Sequence, residues 1–194
     1  MRVGIAHHLG WAVAVVADDD HRVVDRRRIE LIEPGLPVAP VHHEGGAHEM
    51  HRSGPELDDE QLAALVAEVR SSVVRSTVVA LDELESVAAE GGGSLISISL
   101  RSWSTGLPAD IASLRRPPHE SRADSVMYLE VLAADAARRG WAVHHYDHVR
   151  VEAEARSLLG PLADEVLLGP RARLGPPWTK DHRMALAATV LAGS

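Results

Sequence analysis

Apolar residues crowd the start of the chain. A run at Val3, Gly4, Ile5 and Ala6 stops at His7-His8-Leu9-Gly10, and a second run over residues 11–17 begins at once. Two such runs joined by a short glycine-containing link predict a β-hairpin. Both runs are nearly continuous in apolar residues, so both strands are expected inside a sheet that is covered on its two faces. The triplet Asp18-Asp19-Asp20 then gives a turn. Residues 21–33 predict a third strand, supported by Val23, Val24, Ile29, Leu31 and Ile32. Arg26-Arg27-Arg28 in its middle marks a partly exposed strand near the sheet edge, where charge discourages further pairing.

Periodicity is lost over residues 34–57, a connection of a length that is usually functional or disordered. It holds His42, His43, His48 and His51, with Glu44 and Glu49 among them. Asp58 or Asp59 then caps a helix. Its apolar positions Leu62, Leu65, Val66, Val69, Val73, Leu81, Leu84 and Ala88 keep helical spacing to about Glu90, before Gly91-Gly92-Gly93. Val78 to Leu81 also fits a strand, but one long helix is the preferred reading. Residues 94–100 alternate Leu95, Ile96, Ile98 and Leu100 with serines and predict a strand. A second long connection, 101–120, holds a helical turn near 109–115. Ser121-Arg122-Ala123-Asp124 has the character of a capping box. It opens a helix over 121–139 with Val126, Leu129, Leu132 and Ala136 on one face, closed by Gly140. Residues 141–146 form the last strand. Strand, helix and strand make a βαβ unit, which requires parallel strands and a right-handed crossover. A short helix over 151–159 ends at Gly160. Residues 161–178 read as irregular with a helical turn at 162–168, and Thr179 caps a final helix over 180–192.

Composition narrows the classes. A length of 194 residues suits a single domain over 1–194. Cysteine is absent, which removes disulfides, thiolate metal sites and a cysteine nucleophile. No apolar run reaches the ~18 residues that a membrane helix needs. The chain opens directly into a strand rather than a signal peptide, so a cytoplasmic location is expected. Acidic residues outnumber basic ones 28 to 20, which argues against a broad nucleic-acid footprint but is compatible with a small local basic patch or an acidic nuclease. The 12 histidines are the outlier.

The order of elements resembles the ribonuclease H-like fold, in the branch that includes Holliday-junction resolvases. Two motifs carry the resemblance. GIAHHLGWAVAV is similar to the first hairpin of that branch, where glycine-isoleucine-aspartate leads into a glycine-aromatic second strand. WTKDHRMALAATVLA is similar to its closing helix, which carries acidic or histidine ligands near its start. The resemblance implies an α/β fold with a five-stranded mixed sheet in the order 3-2-1-4-5 and helices on both faces. Departures accompany it. The first-strand aspartate of the family aligns with Ala6, followed by His7. Its fourth-strand carboxylate has no match in SISLRSW, and only Asp181, with His182, stands where a last-helix ligand is expected. The family's carboxylate cluster for two metal ions is not carried over.

With strands 1, 4 and 5 parallel, several connections leave the sheet at one edge, the edge that ligands favour in α/β proteins. His7, His8, His42, His43, Glu44, His119, Glu120, Asp147 and His148 are expected there, joined by Asp181 and His182 if the last helix starts nearby. Mixed imidazole and carboxylate donors suit Zn²⁺, Mn²⁺, Fe²⁺ or Ni²⁺. The expected ligands of such a divalent metal are His7, His8, His42, His43, Glu44 and His182. Asp181, Glu120 and Arg122 are the expected catalytic groups, with Arg101 or Lys180 as further holders of an anionic substrate. The implied activity is metal-dependent hydrolysis or phosphoryl transfer on a phosphate-containing substrate such as a nucleic acid or nucleotide. The competing reading is an inactive binding or scaffold domain on the same fold, favoured by the loss of the first-strand aspartate. Bland roles stand beside each of these. Loop histidines are ordinarily solvated, and His144 and His145 face opposite sides of a strand. Asp181 suits a helix start through the dipole alone. Arg26 to Arg28 read as a solvated strand face, and Trp103 and Trp178 as packing under loops rather than base-stacking platforms. Actin-like nucleotide binding is weaker, because the Gly91 run precedes a strand on the opposite edge.

Overall fold

A computed structural model describes residues 1–46, 52–104 and 106–193. Strands β1 (Arg2–His7), β2 (Trp11–Ala17), β3 (Val23–Glu30), β4 (Ser97–Arg101) and β5 (Ala142–Tyr146) form one sheet in the order β3-β2-β1-β4-β5. β2 runs antiparallel to β1 and β3, while β4 is parallel to β1 and β5 is parallel to β4. The fold is therefore α/β with a five-stranded mixed sheet, in the strand order that the resemblance implies and with the expected parallel β1, β4 and β5.

Side-chain alternation explains why the first two strands read as continuous apolar runs. Val3, Ile5, Ala12, Ala14 and Val16 enter one core, which α1 (Asp59–Glu90) and α3 (Glu120–Arg138) cover. Ala6, Val13, Val15 and Ala17 enter a second core under α7 (Lys180–Leu191) and α4 (Val151–Leu159). Both faces are buried, so neither strand has a polar side. α7 lies directly on β1 and β4. A Cβ added at Gly4 would collide with the carbonyl oxygen of Ala185, and Ser99 Oγ donates to the Ala188 carbonyl at 3.1 Å.

The long helix is continuous through Val78 to Leu81. Asp58 starts it with a reciprocal box: its carboxylate accepts from Gln61 N at 2.8 Å, and the Gln61 side chain accepts from Asp58 N at 3.1 Å. Arg139, just beyond α3, holds α1 and α3 together through Asp135, Asp82, Glu85 and the Val78 carbonyl.

Four details differ from the sequence reading. β3 starts at Val23 because Asp18 Oδ1 accepts from both Asp20 N and Arg22 N and His21 takes a left-handed φ of 61°, extending the turn. α3 starts one residue early, at Glu120. The expected box at Ser121 is absent: His119 makes no side-chain cap, and Ser121 lies inside the first turn. Within 34–57 a π-helical turn, Pro40–Glu44, forms, and Asp124 anchors it by accepting from Val41 N at 3.1 Å and His42 N at 2.9 Å. Finally, 161–178 holds more helix than the one expected turn: that turn is α5 (Ala163–Leu167), and a 3₁₀ turn (Gly160–Leu162) and α6 (Gly169–Leu174) flank it. The expected turn near 109–115 is α2 (Ile111–Leu114). Among the described residues no helix is long and apolar enough to cross a membrane.

Candidate functional site

The parallel strands β1, β4 and β5 all end at one edge of the sheet, with His7, Arg101 and Tyr146 as their last residues. Alternation sends the two adjacent histidines to opposite faces. His7, only 8% exposed, continues the face of Val3 and Ile5 toward α3, where its Nε2 pairs with Ser125 Oγ at 3.1 Å. His8 turns toward α7, where its Nε2 donates to Asp181 Oδ2 at 3.1 Å and its ring stacks on Trp11 at 4.1 Å.

Between the ends of β1 and β4 and the first turns of α3 lies a cavity of about 330 Å³. Its polar lining residues are His7, Arg101, Arg122 and four serines, Ser102, Ser104, Ser121 and Ser125. No Asp or Glu lines it. Burial above all, then the neighbouring charges of Arg101 and His8, lowers the His7 pKa from 6.5 to about 4, so this imidazole is neutral at pH 7. Arg101 also donates to His148 Nε2 at 3.3 Å. Most arginines of the fold pair with a carboxylate, as Arg27, Arg75, Arg115 and Arg139 do. Among the described residues Arg101 and Arg122 have no such partner, so the cavity carries uncompensated positive charge.

The remaining expected site residues go elsewhere. Asp181 pairs with His8 on the α7 side of the sheet, in a groove it shares with Arg26, Arg27 and Arg28. His182 closes the α7 cap: its Nδ1 accepts from Thr179 N at 3.2 Å and from Thr179 Oγ1 at 2.8 Å. Burial, then Arg26, lowers its pKa, with Asp181 opposing. Glu120 is buried at the start of α3, off the cavity wall, and its Oε2 has no partner among the described residues. The His42 and His43 rings lie tilted at 5.4 Å, and Glu44 accepts from Ser53 Oγ at 2.8 Å. His43 and Glu44 line a separate cleft against α1.

These placements give the expected metal centre no support. Among the described residues no three His, Asp or Glu gather as a group able to hold a metal ion. His7, His8, His42, His43, Glu44 and His182 fail to converge for identifiable reasons. Alternation divides the first pair, Asp124 draws in the backbone of the π-helical turn, and His182 serves a helix cap. His48, Glu49 and His51 lie outside the described residues. Trp178 is buried with Nε1 donating to the Leu167 carbonyl at 2.9 Å, as expected of packing, whereas Trp103 meets His145 edge-on at 4.7 Å and lines the cavity beside Arg101. Arg26 donates to the carbonyls of Leu174, Gly175, Pro176 and Pro177, and Arg28 pairs with Glu30 while lying over Trp11.

Ser125 is the residue that sequence reasoning missed. The signal was present: Ser121, Arg122 and Ser125 stand at i, i+1 and i+4, so Ser125 lies one turn above both others. No family model matches the chain, and no curated protein matches it.

Proposed function

We propose that the chain is a divergent ribonuclease H-like domain that recognises a small phosphate-containing ligand at the carboxyl ends of β1 and β4. One observation carries this reading: a cavity lined by two arginines, a neutral histidine and four serines, with no Asp or Glu. Guanidinium groups form charge-assisted, bidentate hydrogen bonds to phosphate oxygens. Serine hydroxyls add donors, and a carboxylate-free wall avoids repulsion. The volume is at the small end of the range for ligand sites, and the formal charge of −8 opposes a long polyanion. The same edge is where the resemblance puts acidic metal ligands. Here Ala6 replaces the first of them, and Arg101 and Arg122 reverse the sign of the site. The donor set therefore does not fit the paired metal ions of the resembled family, and recognition of the phosphate falls to the protein's own cations.

The test is calorimetric titration with inorganic phosphate and a nucleoside monophosphate, with and without chelator. Arg101→Ala and Arg122→Ala are each expected to weaken binding ~10- to 100-fold, the effect of losing a charge-assisted hydrogen bond worth ~1.5–3 kcal/mol. Chelator should change nothing. Absence of binding by the parent, or unchanged binding by both variants, would overturn the reading. Binding that disappears on chelation would restore the metal-dependent alternative.

A further inference from the structure

The cavity contains one pair of groups that phosphate recognition alone does not require. Ser125 Oγ lies 3.1 Å from His7 Nε2, on the same wall as Arg101 and Arg122. We infer that Ser125 is a nucleophile, that His7 is its base, and that the pair accepts a phosphoryl group from a small phosphorylated donor held by the two arginines. The inference rests on the phosphate-recognition reading and adds a covalent step to it.

The geometry meets the requirements of such a step one by one. A serine hydroxyl is a weak nucleophile until a base within hydrogen-bond reach takes its proton. His7 is within that reach. It is held on the last residue of a central strand and buried against α3, so its orientation is set by the sheet. It is neutral at pH 7 and thus free to accept a proton. A base of such low proton affinity is weak when the site is empty. A phosphate dianion on Arg101 offsets the guanidinium field that helps to depress it, so the imidazole becomes more basic as the donor arrives. The guanidinium groups would also stabilise charge on the transferring oxygens, a principal term in phosphoryl transfer.

The step balances without a redox partner. The Ser125 Oγ–P bond forms as the P–O bond to the leaving group breaks, and the leaving group departs with the bonding pair. The hydroxyl proton passes to His7 Nε2 and from there to the departing oxygen or to water. With acetyl phosphate as donor the products are acetate and phosphoserine at position 125.

The experiment incubates the full chain with acetyl phosphate at neutral pH, follows intact mass, and maps the modified peptide. The expected result is one phosphoryl group on Ser125, absent from Ser125→Ala. In His7→Asn it should form ~100-fold more slowly, the usual loss on removing a general base. Arg122→Ala should raise the donor concentration needed for half-maximal rate while leaving the modified residue unchanged. Thermal melting of Ser125→Ala, a half-buried position, checks that its fold is intact. A parent that binds phosphate by calorimetry yet gains no phosphoryl group would overturn the nucleophile and leave recognition standing. Modification at His7, Ser102, Ser104 or Ser121 instead would also overturn it. A parent that neither binds phosphate nor is modified would overturn both.

Discussion

At the scale of single residues, His7 and Asp124 are two buried groups whose titrations have opposite signs. His7 holds its proton only below about pH 4 in the folded chain, against 6.5 when exposed. Between those values the unfolded chain binds more protons, so stability falls as pH drops through this window. Integrated from pH 7 to 5, the loss is about 2 kcal/mol. Asp124 goes the other way. Burial raises its pKa from 3.8 to about 6, against two backbone donors that lower it. The folded state keeps that proton longer, so this group favours folding below about pH 6 and the advantage is lost as pH rises through it. Urea denaturation at pH 7 and pH 5 separates the two: His7→Asn should lose less stability on acidification than the parent does. Asp124→Asn tests the anchor directly. An amide can accept with only one oxygen, so one of the Val41 and His42 N–H groups loses its partner. Hydrogen exchange at these two amides should speed up about 10-fold, the effect of ~1.4 kcal/mol.

At the scale of elements, the ties between helices are concentrated in a few arginines. Arg139 is 13% exposed at its side chain and faces Asp135, which is 4% exposed. Removing a cation from beside a buried carboxylate leaves that charge uncompensated apart from Arg138. Arg139→Ala should therefore cost about 3 kcal/mol, measured as a fall in the urea midpoint. The elements themselves were legible in the sequence where periodicity is long: α1, with Asp58 and Gln61 at its start, and the apolar β1–β2 hairpin. What was not legible depends on partners far along the chain. Asp124 stands within a helical pattern and looks like a capping residue, yet it anchors a π-helical turn some 80 positions earlier. The histidines show the same limit. Topology brings His7, His8 and Asp181 to one edge, but period-two alternation decides that His7 meets Ser125 while His8 meets Asp181. A convergence argued from strand ends alone misses that division.

At the scale of the whole molecule, the sheet is a partition. The cavity of His7 and Ser125 lies on the α3 side, and the His8–Asp181 pair with its Trp11 stack lies on the α7 side. β1 is the wall between them, and at Gly4 its backbone touches α7 with no side chain intervening. Gly4→Ala would push the Ala185 carbonyl, and α7 with it, away from the strand. The expected cost is about 3 kcal/mol, together with a change in tryptophan emission as His8 and Asp181 separate beside Trp11. Phosphate affinity should hold in the fraction that stays folded, because Arg122 and Ser125 belong to α3, in the opposite layer. The absent side chain at position 4 thus makes the two layers independently tunable: the depth at which α7 seats can be changed from behind while the chemistry in front keeps its spacing.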